Sequence, residues 1–264
     1  MNILVVGDVV GSPGRTILRR ALPVLRERHE IEYVIVNVEN AAGGFGVTKD
    51  VCDEILDMGV DCMTTGNHVW DKKEIIPFVD LIPQLLRPAN YPPSQPGRGS
   101  HVGRTRKGVA VATLNLSGRV FMNGSIDDPF QQARQEIENL HKEASVIVVD
   151  FHAEATSEKV AMGFFLDGQV TAVLGTHTHV PTCDHRVLPA GTAYCSDIGM
   201  TGPYLSVIGV QKDTILQRFV TGMPIRFETA REDPRLAAVV VSADPETGRA
   251  SAIDRMLLTP ADIG

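Results

Sequence analysis

Five times along the chain, a short apolar run of strand length ends at a residue able to bind a cation or move a proton. Asn2 to Val6 leads to Gly7-Asp8, and Tyr33 to Val38 leads to Glu39-Asn40. Val60 through Thr64 leads to Gly66-Asn67-His68, and Ser145 to Val149 to Asp150-Phe151-His152. Val170 to Leu174 leads to Gly175-Thr176-His177-Thr178-His179. Unbroken apolar runs of this length mark buried strands. Open α/β sheets assemble ligand sites just beyond the carboxyl ends of such strands. A chain written this way gathers residues that are distant in sequence at one edge of a sheet.

Between the runs the apolar period changes from strand to helix. Ile17, Leu18, Ala21, Leu22 and Leu25 recur at helical spacing. Thr48 is placed as the N-cap of a second helix with Val51, Ile55 and Met58 on its apolar stripe, and Gly59 ends it. Pro129 to Ala144 reads as a helix with Pro129 in its first turn, and Lys212 to Thr221 as a shorter one. Gly108 to Leu114 is a further strand, with a loop from Asn115 to Asp128. Ala237 to Ser242 and Ala250 to Leu258 flank Asp244-Pro245-Glu246-Thr247-Gly248 as a hairpin. Residues 87–106 hold four prolines and three glycines and read as a long irregular connection, with His101 exposed in it. Trp70 is assigned to packing, and His29, His101, His141 and His185 to structure. The expected class is α/β at its boundary with α+β: mixed sheets flanked by helices. No repeat, low-complexity tract or linker divides residues 1–264, so a single domain is expected.

A formal net charge of −7 argues against a broad basic surface for polyanions, so no extended nucleic-acid interface is expected. Cys52, Cys62, Cys183 and Cys195 form no C-x-x-C pair and read as free thiols in a cytoplasmic protein. No apolar run approaches the length of a membrane span. A homo-oligomer is compatible with the sequence.

The residues at the strand exits are oxygen and nitrogen donors without a thiolate. His177 and His179 fall on one side if the backbone stays extended, because side chains alternate with period two. Asp150 and His152 share that relation, which suits one as ligand and the other as its support. The glycine loop after Asp8 is neither G-x-G-x-x-G nor a lysine-bearing phosphate loop, which argues against a kinase or GTPase. One metal ion takes three or four protein ligands. About eight candidates fit two ions sharing a carboxylate better, an arrangement suited to displacement at phosphorus. The donor set suits iron or manganese, with zinc also accommodated.

Gly7-Asp8, Gly66-Asn67-His68 and Gly175-Thr176-His177-Thr178-His179, in that order, resemble the motifs of the calcineurin-like metallophosphoesterase superfamily. Asn37-Val38-Glu39-Asn40 and Asp150-Phe151-His152-Ala153-Glu154 make the chain most similar to its YmdB-type branch, whose members are described as cyclic-nucleotide phosphodiesterases. Val10 stands where the superfamily's first D-x-H motif has histidine, and Glu39 where its bridging aspartate stands. The resemblance implies a four-layer sandwich with two mixed sheets and a centre of two metal ions. It assigns Asp8, Asn40 and His179 to one ion and Asn67, His152 and His177 to the other, with Glu39 between them.

The reaction so implied is hydrolysis of a small phosphodiester, with 2′,3′-cyclic nucleotides as the favoured substrate class. His68 is the unligated residue that protonates the leaving oxygen, and Asp71 is its candidate orienting partner. Glu154 and Thr201 are weaker candidates for substrate contact. A phosphomonoesterase or protein phosphatase uses the same centre, and a metal-dependent nucleotide-binding regulator with incidental catalysis is a third reading.

Overall fold

The computed structural model describes residues 1–264. The chain opens with β1 (Asn2–Val6), β2 (Asp8–Val9), α1 (Gly11–Arg28), β3 (Ile31–Asn37), α2 (Lys49–Asp57) and β4 (Cys62–Thr64). Its middle holds β5 (Ser100–Arg104), β6 (Ala110–Ser117), α3 (Pro129–Leu140), β7 (Val146–His152), α4 (Thr156–Phe165) and β8 (Ala172–Thr176). The last part adds β9 (Arg186–Val187), β10 (Ala193–Cys195), β11 (Met200–Pro203), α5 (Lys212–Thr221), β12 (Pro234–Ala243), β13 (Ala250–Leu258) and α6 (Pro260–Ile263).

Two mixed sheets result. One runs β2-β11-β12-β1-β3-β4 with β13 beside β12, and the other runs β5-β6-β7-β8-β10-β9. Strand parity explains how they stack. Ile3 and Val5 of β1 face the core between the sheets, where they meet Val146 and Val148 of β7 and Ala172 and Leu174 of β8. Their neighbours Leu4 and Val6 face the other way, onto Ile17, Leu18, Leu22 and Leu25 of α1 and Val51 and Ile55 of α2. Ile147 and Val149 of β7 likewise turn outward, onto Ala133 and Ile137 of α3 and Met162 of α4. Both faces of the central strands are thus buried, which is why their sequences are continuously apolar rather than alternating. The layers are helix, sheet, sheet, helix.

The parallel pairs β1 with β3, β3 with β4, β6 with β7 and β7 with β8 send their carboxyl ends to a common edge. Asp8 begins β2 and His152 ends β7, so these two lie within strands rather than after them. The remaining ligand candidates follow β3, β4 and β8 directly. Thr48 caps α2 by accepting the Val51 N–H at 3.3 Å. β12 and β13 form the expected antiparallel hairpin.

Several local expectations are corrected. Residues 100–104 form β5, paired antiparallel with β6, instead of irregular chain. His101 lies in that strand, half-buried, and burial pushes its pKa down. The rest of the connection is held from within: the buried Arg87 donates to the carbonyls of Pro88, at 2.8 Å, and Pro96, at 3.3 Å. β6 extends to Ser117, and α3 ends at Leu140. α4 fills the stretch after Glu154, where the apolar pattern suggested no element. Thr201 is buried in β11, where its hydroxyl and the Ala237 backbone exchange hydrogen bonds, so it serves the sheet and not a substrate. Trp70 packs against the helix-side core and donates to Gln95 Oε1 at 2.8 Å. No helix is long and apolar enough to cross a membrane.

Candidate metal centre

Asp8, Glu39, Asn40, Asn67, His152, His177 and His179 come together at the common edge. Asp8, Glu39 and Asn40 come from the first sheet and are buried, as is His152 from the second. Two clusters of ligand atoms result, one from Glu39, His152 and His177 and the other from Asp8, Glu39 and His179, so Glu39 belongs to both. Glu39 Oε1 lies 3.2 Å from His152 Nε2. His177 Nδ1 is 3.1 Å and Asn67 Oδ1 3.0 Å from the same nitrogen. On the other side, Asn40 Nδ2 is 3.1 Å and Asp8 Oδ1 4.0 Å from His179 Nε2.

Three glycines make this convergence possible by having no side chain. A Cβ on Gly66 would fall 2.1 Å from His152 Cδ2. One on Gly7 would meet the Gly199 carbonyl oxygen at 1.8 Å, and one on Gly175 the Ser196 carbonyl oxygen at 1.8 Å. None of the three has positive φ, so close approach and not conformational freedom is what requires glycine in these motifs.

His177 and His179 reach the centre by a different route from the extended one. β8 ends at Thr176, and the two histidines take φ of 98° and 66°. Left-handed backbone at a residue with a side chain costs about 1–3 kcal/mol and persists only where surroundings impose it. Here a buried ion pair does so. Lys159 Nζ from α4 donates to the Thr176 carbonyl at 2.8 Å and to Asp197 Oδ2 at 2.7 Å. Asp197 in turn accepts the backbone N–H and hydroxyl of Thr178, at 3.1 and 2.8 Å, between the two histidines. His179 Nδ1 is held at 2.9 Å from the Ile208 carbonyl, which leaves Nε2 facing the cluster.

His152 is oriented by a chain of hydroxyls. Its Nδ1 lies 2.9 Å from Thr176 Oγ1, and that hydroxyl donates to Asp150 Oδ1 at 2.7 Å. A hydroxyl that donates to a carboxylate accepts from the ring, so Nδ1 carries a proton and Nε2 is the nitrogen turned to the centre. Asp150 also accepts from Thr64 and from Asn37 Nδ2, and burial pushes its carboxyl up. Asp150 therefore braces the His152 ring through Thr176. The supporting roles of Thr176, Thr64, Lys159 and Asp197 have no local sequence signal, because each acts across to another element.

The buried charges at this edge act strongly on one another. Burial pushes the Asp8 carboxyl up to about 6, against the pull of His179 and His152. Burial works against Glu39 as well, but the adjacent His152 outweighs it and holds the carboxyl at about 2. Glu39 in return overcomes burial to raise His152 to about 9. Burial and then His152 press His177 down to about 3. Asp8 Oδ1 and Asn40 Oδ1 are buried oxygens without any hydrogen-bond partner. Unsatisfied acceptors beside imidazole nitrogens are the donor set of a cation site, so the residues present fit metal ions.

Above the cluster opens a cavity of about 520 Å³, lined by Glu39, Asn40, His68, His177 and His179 among others. Val10 also lines it. His68 sits at its edge with Nδ1 2.8 Å from Asp71 Oδ2, and its backbone N–H donates to Glu39 Oε2 at 3.2 Å. Glu154 is exposed, with Oε2 3.1 Å from His177 Nε2.

The model of the YmdB-like protein family matches residues 4–256. The chain belongs to that family. It is 46% identical over 258 residues to a protein of Bacillus subtilis named 2′,3′-cyclic-nucleotide 2′-phosphodiesterase, covering 98% of this chain and 97% of the relative. A crystal structure described as a novel phosphatase of Mycoplasma pneumoniae superposes with a TM-score of 0.91 at 33% identity, covering 100% of this chain and 96% of the other. A second, described as a hypothetical protein from Thermus thermophilus, gives a TM-score of 0.91 at 40% identity over 98% and 99% of the two chains.

Proposed function

We propose that this YmdB-like chain, acting as one domain, is a metal-dependent phosphoric ester hydrolase that opens 2′,3′-cyclic nucleotides. The observation that carries the reading is the pair of clusters sharing Glu39, with the orphaned oxygens of Asp8, in one cluster, and of Asn40, next to Glu39 in the chain. The name of the B. subtilis relative supports the substrate class. Asp8, Asn40 and His179 would hold one ion, Asn67, His152 and His177 the other, and Glu39 both. Such ions, when bound, acidify a water and offset charge on the phosphoryl oxygens.

The protein's own groups do the rest. Thr176 and Asp150 hold the His152 ring in the tautomer that presents Nε2. Lys159 and Asp197 hold the loop of His177 and His179. In hydrolysis a water oxygen joins phosphorus and the bond from phosphorus to O2′ breaks. An alkoxide is a poor leaving group near neutrality, so O2′ takes a proton from His68 as it departs. Asp71 fixes His68 Nδ1 at 2.8 Å, which leaves Nε2 as the nitrogen that would face the ester.

The test is elemental analysis of protein purified without added metal, run beside conversion of 2′,3′-cyclic AMP to 3′-AMP. About two iron or manganese ions per chain with turnover is the expected result. Metal-free protein that hydrolyses at the same rate would overturn the reading. Because the M. pneumoniae structure is described as a phosphatase, AMP and a phosphopeptide belong in the same assay. Faster release of phosphate from either would assign the centre to monoesters.

A further inference from the structure

The catalytic edge carries an aromatic feature that phosphate chemistry does not use. Phe45, in the glycine loop after Asn40, packs edge-on against the His68 ring, with centroids 5.0 Å apart and planes at 63°. Phe227 lies beside the same ring in a stacked arrangement, with centroids 6.4 Å apart and planes at 29°. The Arg218 guanidinium of α5 lies 4.7 Å over the Phe227 ring. Both phenylalanines are only half-buried, Arg218 is exposed, and all three line the cavity above the metal-ligand cluster. Its volume of about 520 Å³ lies within the range of small-molecule sites.

We propose that Phe45, Phe227 and Arg218 form a wall on which the purine or pyrimidine ring of the nucleotide stacks. This rests on the cyclic-nucleotide reading given above. Connectivity of the substrate supplies the argument. O2′, the oxygen that leaves, sits on the carbon next to the one that bears the base. A base must therefore project on the side of the group that protonates O2′. His68 is that group, and Phe45 is in contact with it. Aromatic faces and a guanidinium bind any base through its π-surface, independently of its hydrogen-bonding edge. The wall thus selects nucleosides as a class over bare cyclic phosphates and does not read one base from another by its edge.

The test compares kcat/KM for 2′,3′-cyclic AMP with that for ribose 2,3-cyclic phosphate, which has no base. Wild type, Phe227→Leu and Phe227→Tyr are measured in the metal-loaded protein. Leucine keeps the apolar volume and removes the π-face, while tyrosine restores it. The ratio of the two substrates should fall about tenfold in Phe227→Leu, carried by KM, and recover in Phe227→Tyr. Calorimetric binding of 3′-AMP should weaken in parallel, with binding of ribose 3-phosphate as the reference. An unchanged ratio overturns the wall, as does equal loss on both esters, which would mark Phe227 as a brace for the glycine loop. Wild-type protein that opens neither ester overturns the cyclic-nucleotide reading itself, and the wall with it.

Discussion

Lys159 Nζ lies 2.7 Å from Asp197 Oδ2, and both side chains are buried. Removing one partner of a buried pair leaves the other charge uncompensated and costs about 3–5 kcal/mol. Lys159→Met is expected to lower the urea midpoint and turnover together. Lys159→Met combined with Asp197→Leu should regain stability, because two apolar groups can pack where two charges stood. Turnover should stay low in the double variant, since the N–H and hydroxyl of Thr178 lose their acceptor. Urea titrations beside kcat/KM read both quantities; turnover that recovers with stability would mean the pair does not position the histidine loop.

Gly66→Ala drives a methyl group into the His152 ring, with 2.2 Å to Nε2. One ring must move away from the other ligand atoms. A displacement of about 1 Å at a reacting centre costs about a hundredfold in rate. The variant should keep its far-ultraviolet circular dichroism and lose metal and activity. Full metal content with full turnover would show that the ring has room to yield.

His68→Ala should leave the metal content intact and lower turnover of 2′,3′-cyclic AMP by about 10²–10⁴-fold. A bis(p-nitrophenyl) phosphate substrate, whose phenolate leaves without a proton, should lose far less. The comparison is made at saturating metal. Equal losses on both substrates would remove His68 from the role of acid.

Asp184 gives the fold an acid-sensitive tie. Partial burial opposes its charge, but hydrogen bonds from Ser196 and Thr182 outweigh it and hold the carboxyl below its usual range. A carboxyl lowered on folding contributes stability that is present above its unfolded pKa. That contribution is lost as pH falls toward the folded value. The gap in urea midpoint between wild type and Asp184→Asn should be open at pH 7 and begin to close below about pH 4, where free carboxyls protonate. A gap that does not change between those conditions would show that the hydrogen bonds act equally on the neutral acid.

Most of what converges was legible in the chain because it is written locally. An apolar run leads within a few positions to a donor residue, with a glycine between them before Asp8, Asn67 and His177 but none before Glu39 or His152, so all five announce themselves. The left-handed turns at His177 and His179 were not legible, since they are imposed by Lys159 and Asp197, which lie 38 positions apart. The extended backbone that period-two reasoning assumes therefore stops at Thr176. β5 was obscured by the prolines and glycines before it, and only its pairing with β6 makes residues 100–104 a strand. α4 was hidden because it packs few residues inward, Met162 and Gly163 among them, and exposes Phe164, which blurs its apolar face. The support of His152 by Thr176 and Asp150 joins two neighbouring strands, and no single stretch of sequence contains it.

The seven ligand candidates are divided between the sheets: Asp8, Glu39, Asn40 and Asn67 belong to strands of the first sheet or the loops after them, and His152, His177 and His179 to the second. Neither sheet owns a complete set. A chain with only one sheet in place, whether newly made, damaged or clipped, holds fragments of both clusters and no whole one. On the proposed centre, hydrolytic power is withheld until the two sheets have packed together, so the architecture itself checks that assembly is finished before the chemistry begins.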